Sequence, residues 1–397
     1  ECIDRGSAGS AMDVVINGTG AKFSRCVTPV LLPGGDNVSA DPQFADWRAG
    51  DYRLFPGSHC IDAGVNAGWM TGEHDILGGP RVRDGTVEIG AVEFAEGALA
   101  CNPVGTPSSG LASNWVAFTA GVAGTNLTSL TYKWDFENDG SFDAEGSDQA
   151  AVSHLYWPGR YSVRLEVANG IGEKAVCVRT NLIHVAPLVV HASPAGTSMP
   201  EFPYNTWAKA TPSIQDAIDA GLDGSLVLVT NGLYLAPAEI QLEKGITVRS
   251  VSGAANTIVK RSATSSTAYY RVFYLCHTNA VLEGVTICNG LNNSGAYNLY
   301  NGSGAGALID WYGRIEGCIF TNNYISQNGY GAGVYLFGGG VVCNCVIAWN
   351  RVSNYGGGGA TISGNGLIEN CVISNNYATG SGGGGGASLH GGGILRG

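Results

Sequence analysis

The sequence predicts an all-β chain in which stretches of coiled, parallel-strand solenoid flank a smaller β-sandwich. Three observations predict it. Residues 282–397 repeat with a period in the twenties, and residues 161–167 alternate apolar and polar side chains as a half-buried strand does. Glycine makes up 61 of the 397 residues, while only 13% are charged. Short strands joined at tight corners need glycine, and stacked faces tolerate few charges.

The repeat is read from four segments: Leu282-Glu-Gly-Val-Thr-Ile287, Ile315-Glu-Gly-Cys-Ile-Phe320, Val342-Cys-Asn-Cys-Val-Ile347 and Ile368-Glu-Asn-Cys-Val-Ile373. Their fourth places hold Val285, Cys318, Cys345 and Cys371, at steps of 33, 27 and 26 residues. Five residues past each Cys stands Asn323, Asn350 or Asn376, and a Gly-led strand follows (Gly333–Leu336, Gly359–Ile362, Gly386–Leu389). A coil this short cannot bury its own apolar face, so coils must stack and equivalent residues must form ladders about 4.8 Å apart. The Asn ladder suits a tight turn in left-handed backbone, with amides bonding along the stack. This pattern resembles the right-handed parallel β-helix of the pectate-lyase-like superfamily. The resemblance implies a bore filled by inward Cys and Ile. It implies no activity, since enzymes, adhesins and passive fibres share the fold.

A chain of 397 residues has room for two or three domains. The formal charge of −11 argues against nucleic acid, whose phosphates need a basic face. No apolar run is long enough to span a membrane, and no signal peptide is visible. The first residue is Glu1, which suggests a processed chain or part of a longer one. Of the 11 cysteines several sit at repeat positions, where a buried thiol behaves as a small hydrophobe.

Residues 1–96 are expected to be the last coils and end-cap of a β-helix. Phe23-Ser-Arg-Cys26-Val fits the coil motif. Asp41-Pro-Gln-Phe44, Gly50–Leu54, Cys60-Ile-Asp-Ala-Gly64 and Glu88–Phe94 resemble the terminal segment that closes many bacterial secreted β-helix proteins. Such a segment covers strand edges that would otherwise face water. Asp62 and Glu93 are expected to serve turns and capping, not catalysis.

Residues 97–186 carry Tyr132-Lys-Trp-Asp-Phe136, His154-Leu-Tyr156 and Pro158–Val167, and these resemble a PKD domain, an immunoglobulin-like sandwich. Trp134 is its expected core aromatic, and Ile183-His-Val185 its final strand. The resemblance implies a spacer or interaction module of cell-surface and secreted proteins. It places Cys101 in the first strand and Cys177 near the last, close enough for a disulfide. In the loop between, Asp135, Glu137, Asp139 and Asp143 alternate with other residues around Gly140. That spacing suits a hard cation such as Ca²⁺, and it equally suits a solvated acidic turn.

Residues 187–397 are expected to start a second β-helix. Ser213 or Thr211 caps a short helix with one apolar stripe, Ile214, Ala217 and Ile218, ended by Gly221. Short strands follow at Ser225–Val229, Asn231–Tyr234 and Gly245–Arg249, as in the plugged first coil of pectate-lyase-like proteins.

The two ends of the sequence match. Leu395-Arg-Gly397 followed by Glu1-Cys2-Ile3 aligns with Ile368-Glu-Asn-Cys-Val-Ile373, and Cys26 lies 25 residues beyond Glu1. A β-helix would then be completed by residues 187–397 of one copy and 1–96 of the next. Its junction would run through Leu389, Ile394, Leu395, Cys2, Ile3, Val14 and Ile16. Repeated head-to-tail contacts that do not close on themselves give a filament.

Catalytic residues are not apparent. The coils carry a Glu283/Glu316/Glu369 ladder expected to face solvent, and no carboxylate pair of the kind glycosidases need. His277 and His390 have no neighbouring acid in sequence. Sequons occur at Asn17, Asn37, Asn126, Asn292 and Asn301. Asn292 and Asn301 lie in the longest coil, expected to bulge outward beside Tyr297, Tyr300, Trp311 and Tyr312. The sequence therefore reads as a structural, non-enzymatic repeat of an extracellular filament or surface array whose partner is itself. The alternatives are a secreted carbohydrate-binding adhesin with glycan partners and a polysaccharide lyase or glycoside hydrolase.

Overall fold

The computed structural model describes residues 2–3, 26–28, 37–40, 42–46, 51–55, 57–83, 85–94, 99–262, 269–293, 302–310, 312–354, 356–379 and 384–397. They fall into two compact units. One holds residues 1–109, 114–156 and 160–184, and the other holds 110–113, 157–159 and 185–397.

The second unit is a parallel β-helix. Its strands form sheets of eight, six, six and four members, each joined to its neighbours one coil away. In the first sheet the centre of every strand points inward, giving the column Val190, Val227, Val248, Leu282, Ile315, Val342, Ile368, Leu395. The second sheet contributes Tyr234, Val259, Ile287, Phe320, Ile347 and Ile373. The third contributes Leu242, Leu275, Ile309, Leu336, Ile362 and Leu389. Period-2 alternation sends the middle residue of the three-residue first-sheet strands in, and the two end residues of Ile240–Leu242 and Phe273–Leu275 in the third sheet. Each aliphatic side chain so buried stabilises the fold by about 1.5–3 kcal/mol.

The helix Ile214–Ala220 joins this core through Ile214, Ala217 and Ile218. Its N-cap is Ser213, whose Oγ accepts from Asp216 N at 3.1 Å, and Gly221 ends it. Of the two capping candidates, Ser213 takes the role; Thr211 Oγ1 instead accepts from Ser213 N at 3.1 Å.

In four successive coils two corners use left-handed backbone. One falls at Gly284, Gly317, Asn344 and Asn370, the residue before the motif's fourth place. The other falls at Asn289, Asn322, Trp349 and Asn375. The expected left-handed residues Asn323, Asn350 and Asn376 are each one place later. The turn thus spends its strained residue first, which frees the next Asn to point inward and bond along the stack.

In the first unit, Val104–Thr106, Asn114–Thr119 and Ala151–Tyr156 make one antiparallel sheet. Ala144–Gly146, Thr131–Asp135, Gly159–Ala168 and Lys174–Ala186 run side by side in the other. Val116, Phe118, Trp134, Phe136, Tyr156, Val163, Leu165 and Ile183 are buried. The polar tips of the large aromatics are satisfied: Trp134 Nε1 donates to Gln149 O at 2.8 Å, and Tyr156 Oη donates to Phe136 O at 3.0 Å. Burial pushes the Tyr156 phenol well above its ordinary value.

The segment before the sandwich begins with a parallel pair, Cys2–Ile3 beside Cys26–Thr28. Phe44–Asp46 then pairs antiparallel with Asp51–Leu54. Beyond them come mostly turns, packed on Phe44, Leu54, Cys60 and Ile89.

Candidate functional site

The last described rung of the β-helix carries three of the expected junction residues. Leu395 is the register partner of Ile368, and Leu389 of Ile362. Ile368 and Ile362 are fully buried, whereas Leu395 is 43% exposed and Leu389 45%. Ile394 stands 51% exposed beside them. Leu389 and Leu395 continue the inward columns of the third and first sheets. Ile394–Arg396 is the last described strand of the first sheet. The remaining expected junction residues are distributed differently. Cys2 and Ile3 pair with Cys26 and Val27 as parallel neighbours, and Val14 and Ile16 lie outside the described residues.

One detail of the expected junction is corrected. The repeat places Cys26 25 residues beyond Glu1, but the pairing sets Cys26 opposite Cys2, one residue later. The observed register sets Ile3 beside Val27. A slip of one residue would exchange the two faces of the strand, so a one-residue choice is decisive here.

Behind the last described rung lies the Asn ladder. Asn323 Nδ2 donates to Asn350 Oδ1 at 3.0 Å, and Asn350 Nδ2 donates to Asn376 Oδ1 at 3.0 Å. Backbone amides join in: Asn323 N donates to Asn350 Oδ1 and Asn350 N to Asn376 Oδ1. A thiol column runs parallel to it. Cys318 N donates to Cys345 Sγ at 3.3 Å and Cys345 N to Cys371 Sγ at 3.4 Å. Hydrogen bonding along this column and burial push the Cys345 and Cys371 thiols far up. These cysteines are structural, as the buried-thiol reading expects.

The Glu ladder of the first sheet is half-buried and paired, not bare. Glu283 accepts from Arg249 Nε at 2.6 Å, Glu316 meets Arg314 at 2.8 Å, and Glu369 meets Arg396 at 2.8 Å. The Arg314 hydrogen bond holds the Glu316 carboxyl below its usual range. These alternating charges neutralise an outer face. His390 lies not beside an acid but against Ser388 Oγ, 3.0 Å from Nε2, with the Tyr330 ring 5.3 Å away. Glu93 is buried against Arg81, and Asp62 takes a left-handed turn conformation at φ 53°.

In the sandwich, carboxylate oxygens of Asp135, Glu137 and Asp143 lie within 4.8 Å of one another. Asp139 is outside that group and accepts from Ser141 N at 2.8 Å. The loop also holds itself. Asp135 accepts from Asp139 N and Gly140 N, Asp143 from Phe136 N, and Glu137 pairs with His154 Nε2 at 3.0 Å. A Ca²⁺ ion fits this donor set chemically, and the same carboxylates accept from the turn's own backbone. Burial, with Asp143 and Asp139 nearby, pushes the Glu137 carboxyl up, and His154 opposes this.

Cys101 and Cys177 are bonded, with Cα atoms 6.0 Å apart. Cys101 lies ahead of the first strand rather than in it, beside the bridge Ala100–Ala123. The strands and this bond together frame a compact sandwich. Residues 102–181 match the PKD domain. PKD domains occur in extracellular and surface proteins. The PKD match lies ahead of the parallel β-helix in sequence. No curated protein matches the chain. No helix among the described residues is long and apolar enough to cross a membrane.

The sequons divide. Asn126 is exposed at the edge of the PKD domain and Asn37 is half-buried. Asn17 and Asn301, with Tyr297, Tyr300 and Trp311, lie outside the described residues. Asn292, expected to bulge outward, instead is 4% exposed and donates Nδ2 to Ser303 O at 3.1 Å. It stands in register with Ile325 in the fourth sheet, on the inward side of the strand.

Sequence reasoning missed Trp349. It occupies the left-handed corner column between Asn322 and Asn375, with φ 61° and 63% exposure. The signal was present: the residue before each ladder Asn reads Asn, Trp, Asn.

Proposed function

We propose that this chain is a structural repeat of an extracellular filament or surface array, and that copies join head-to-tail by completing a β-helix. The observation that carries the reading is that Leu389 and Leu395 continue inward core columns while Cys2–Ile3 pairs in parallel with Cys26–Thr28, so both stretches have coil geometry. The occupant that best fits such a rung is another coil with parallel strands and inward aliphatics. The parallel pair Cys2–Ile3 and Cys26–Thr28 supplies the right strand direction. The contact would be a parallel extension of the first and third sheets, with backbone hydrogen bonds giving affinity and matched columns giving register. It is the same whether copies are separate chains or tandem units of one polypeptide. The PKD domain would act as the spacer between successive β-helices. In this reading the chain catalyses nothing.

Electron microscopy of negatively stained protein at neutral pH tests it. Filaments repeating at one β-helix plus one small domain are expected. Leu395→Asp should yield folded particles without filaments, because an uncovered carboxylate is harmless on a free end and costly within a buried junction. Filaments that persist in Leu395→Asp would remove this junction from consideration.

A further inference from the structure

We infer that Trp349 is the platform of a lateral glycan-binding site, made for a pyranose ring of a neutral polysaccharide and independent of head-to-tail assembly. Three features of the same corner carry this.

First, the residue is strained where it need not be. The corner takes Asn at positions 289, 322 and 375, which tolerates left-handed backbone, and Trp only at 349. A bulky aromatic with φ 61° is an outlier, and it gains no burial in exchange, being 63% exposed. Strain without packing return points to a role outside the fold.

Second, the neighbours are amides. Thr321, Ala348 and Ser374 are register partners, as are Tyr324, Arg351 and Tyr377. The corner residues just after the first of these sets, Asn322 and Asn375, therefore flank Trp349 one rung to either side, and both are exposed. A rung is about 4.8 Å, close to the span of one pyranose ring. Each amide offers both donors and an acceptor, the inventory that sugar hydroxyls need. The indole face offers an apolar surface for the ring's C–H groups.

Third, the adjoining column is pre-organised. Arg351 lies over the Tyr324 ring at 5.4 Å and the Tyr377 ring at 5.8 Å. Tyr324 Oη is 2.8 Å from Ser353 Oγ. Contact with two rings restrains the guanidinium, a group of several N–H donors. Together the indole, two amides and a fixed guanidinium make one shallow surface of apolar platform and hydroxyl partners.

Native affinity electrophoresis of the full chain tests the site, with mixed-linkage β-glucan, xyloglucan, galactomannan and xylan cast in separate gels. At least one is expected to retard the protein. Trp349→Asn should weaken that retardation at least tenfold while the melting temperature holds or rises, because Asn suits the corner's backbone. Trp349→Phe should keep part of the binding, and Arg351→Ala should lose part of it. Trp349→Asn filaments should look unchanged, which separates this site from the junction. The proposal is overturned if none of the four polysaccharides retards the wild-type chain, or if Trp349→Asn is retarded as strongly. It is also overturned if the only effect of Trp349→Asn is on the protein's association with itself.

Discussion

Gly333 and Asn350 share one volume: a Cβ built on Gly333 would lie 3.0 Å from Asn350 Nδ2 and 2.5 Å from Gly359 O. The same holds one coil to either side, where Gly306 faces Asn323 Nδ2 at 2.9 Å and Gly359 faces Asn376 Nδ2 at 2.6 Å. The glycine column and the Asn column are therefore one device. Glycine at the head of each third-sheet strand leaves room for the amide that ties coil to coil.

Gly333→Ala is expected to destabilise the β-helix by about 2 kcal/mol or more, since neither a backbone carbonyl nor a ladder amide can move aside cheaply. Chemical denaturation checks it, with an equivalent Ala at the open surface position Gly253, which has nothing within 4 Å but lies at φ 77°, as the control for backbone strain alone.

Asn350→Ala removes the donor to Phe320 O and Asn376 Oδ1 and the acceptor used by Asn323 N and Asn323 Nδ2. The side chain is 1% exposed, so water cannot replace these partners. A loss of about 3 kcal/mol follows from leaving such groups unsatisfied. Urea unfolding measures it, and a loss below about 1 kcal/mol would mean that water enters the ladder.

Cys276 and Cys343 are pushed up to about 11, mainly by burial. Their alkylation by iodoacetamide in the folded chain should therefore accelerate as pH approaches 11, not near the 9.0 of a free thiol. The linkage has a definite sign. The unfolded chain loses these protons first, so between pH 9 and 11 the folded state holds more protons and stability falls as pH rises. Below pH 9 these thiols leave stability unchanged. Mass spectrometry of alkylated peptides across that range provides the check.

Reducing Cys101–Cys177 opens a loop spanning a sequence separation of 76. Chain entropy sets the effect at up to about 4 kcal/mol. Calorimetry with and without reductant should show the PKD transition falling while the β-helix transition stays, because the bond lies wholly in the first unit. A β-helix transition that falls equally would mean that the two unfold together.

Much of this was legible beforehand because a solenoid writes its core as a period. The columns through Val285, Cys318, Cys345 and Cys371, the Asn ladder and the capping helix are local patterns repeated, and repetition makes each one visible. The PKD strands announced themselves by alternation, with Trp134 at their centre. What the sequence by itself determined, then, was the inward face of each coil, since a period of two within strands and about 26 between them leaves one consistent stacking. Only the tertiary structure decided which neighbour each side chain meets. It buried Asn292 in a stretch that reads as an outward loop, because that residue falls on the inner side of a fourth sheet no linear motif marks. It moved the left-handed backbone one residue ahead of the Asn ladder, and so set Trp349 in a strained corner with its ring in solvent.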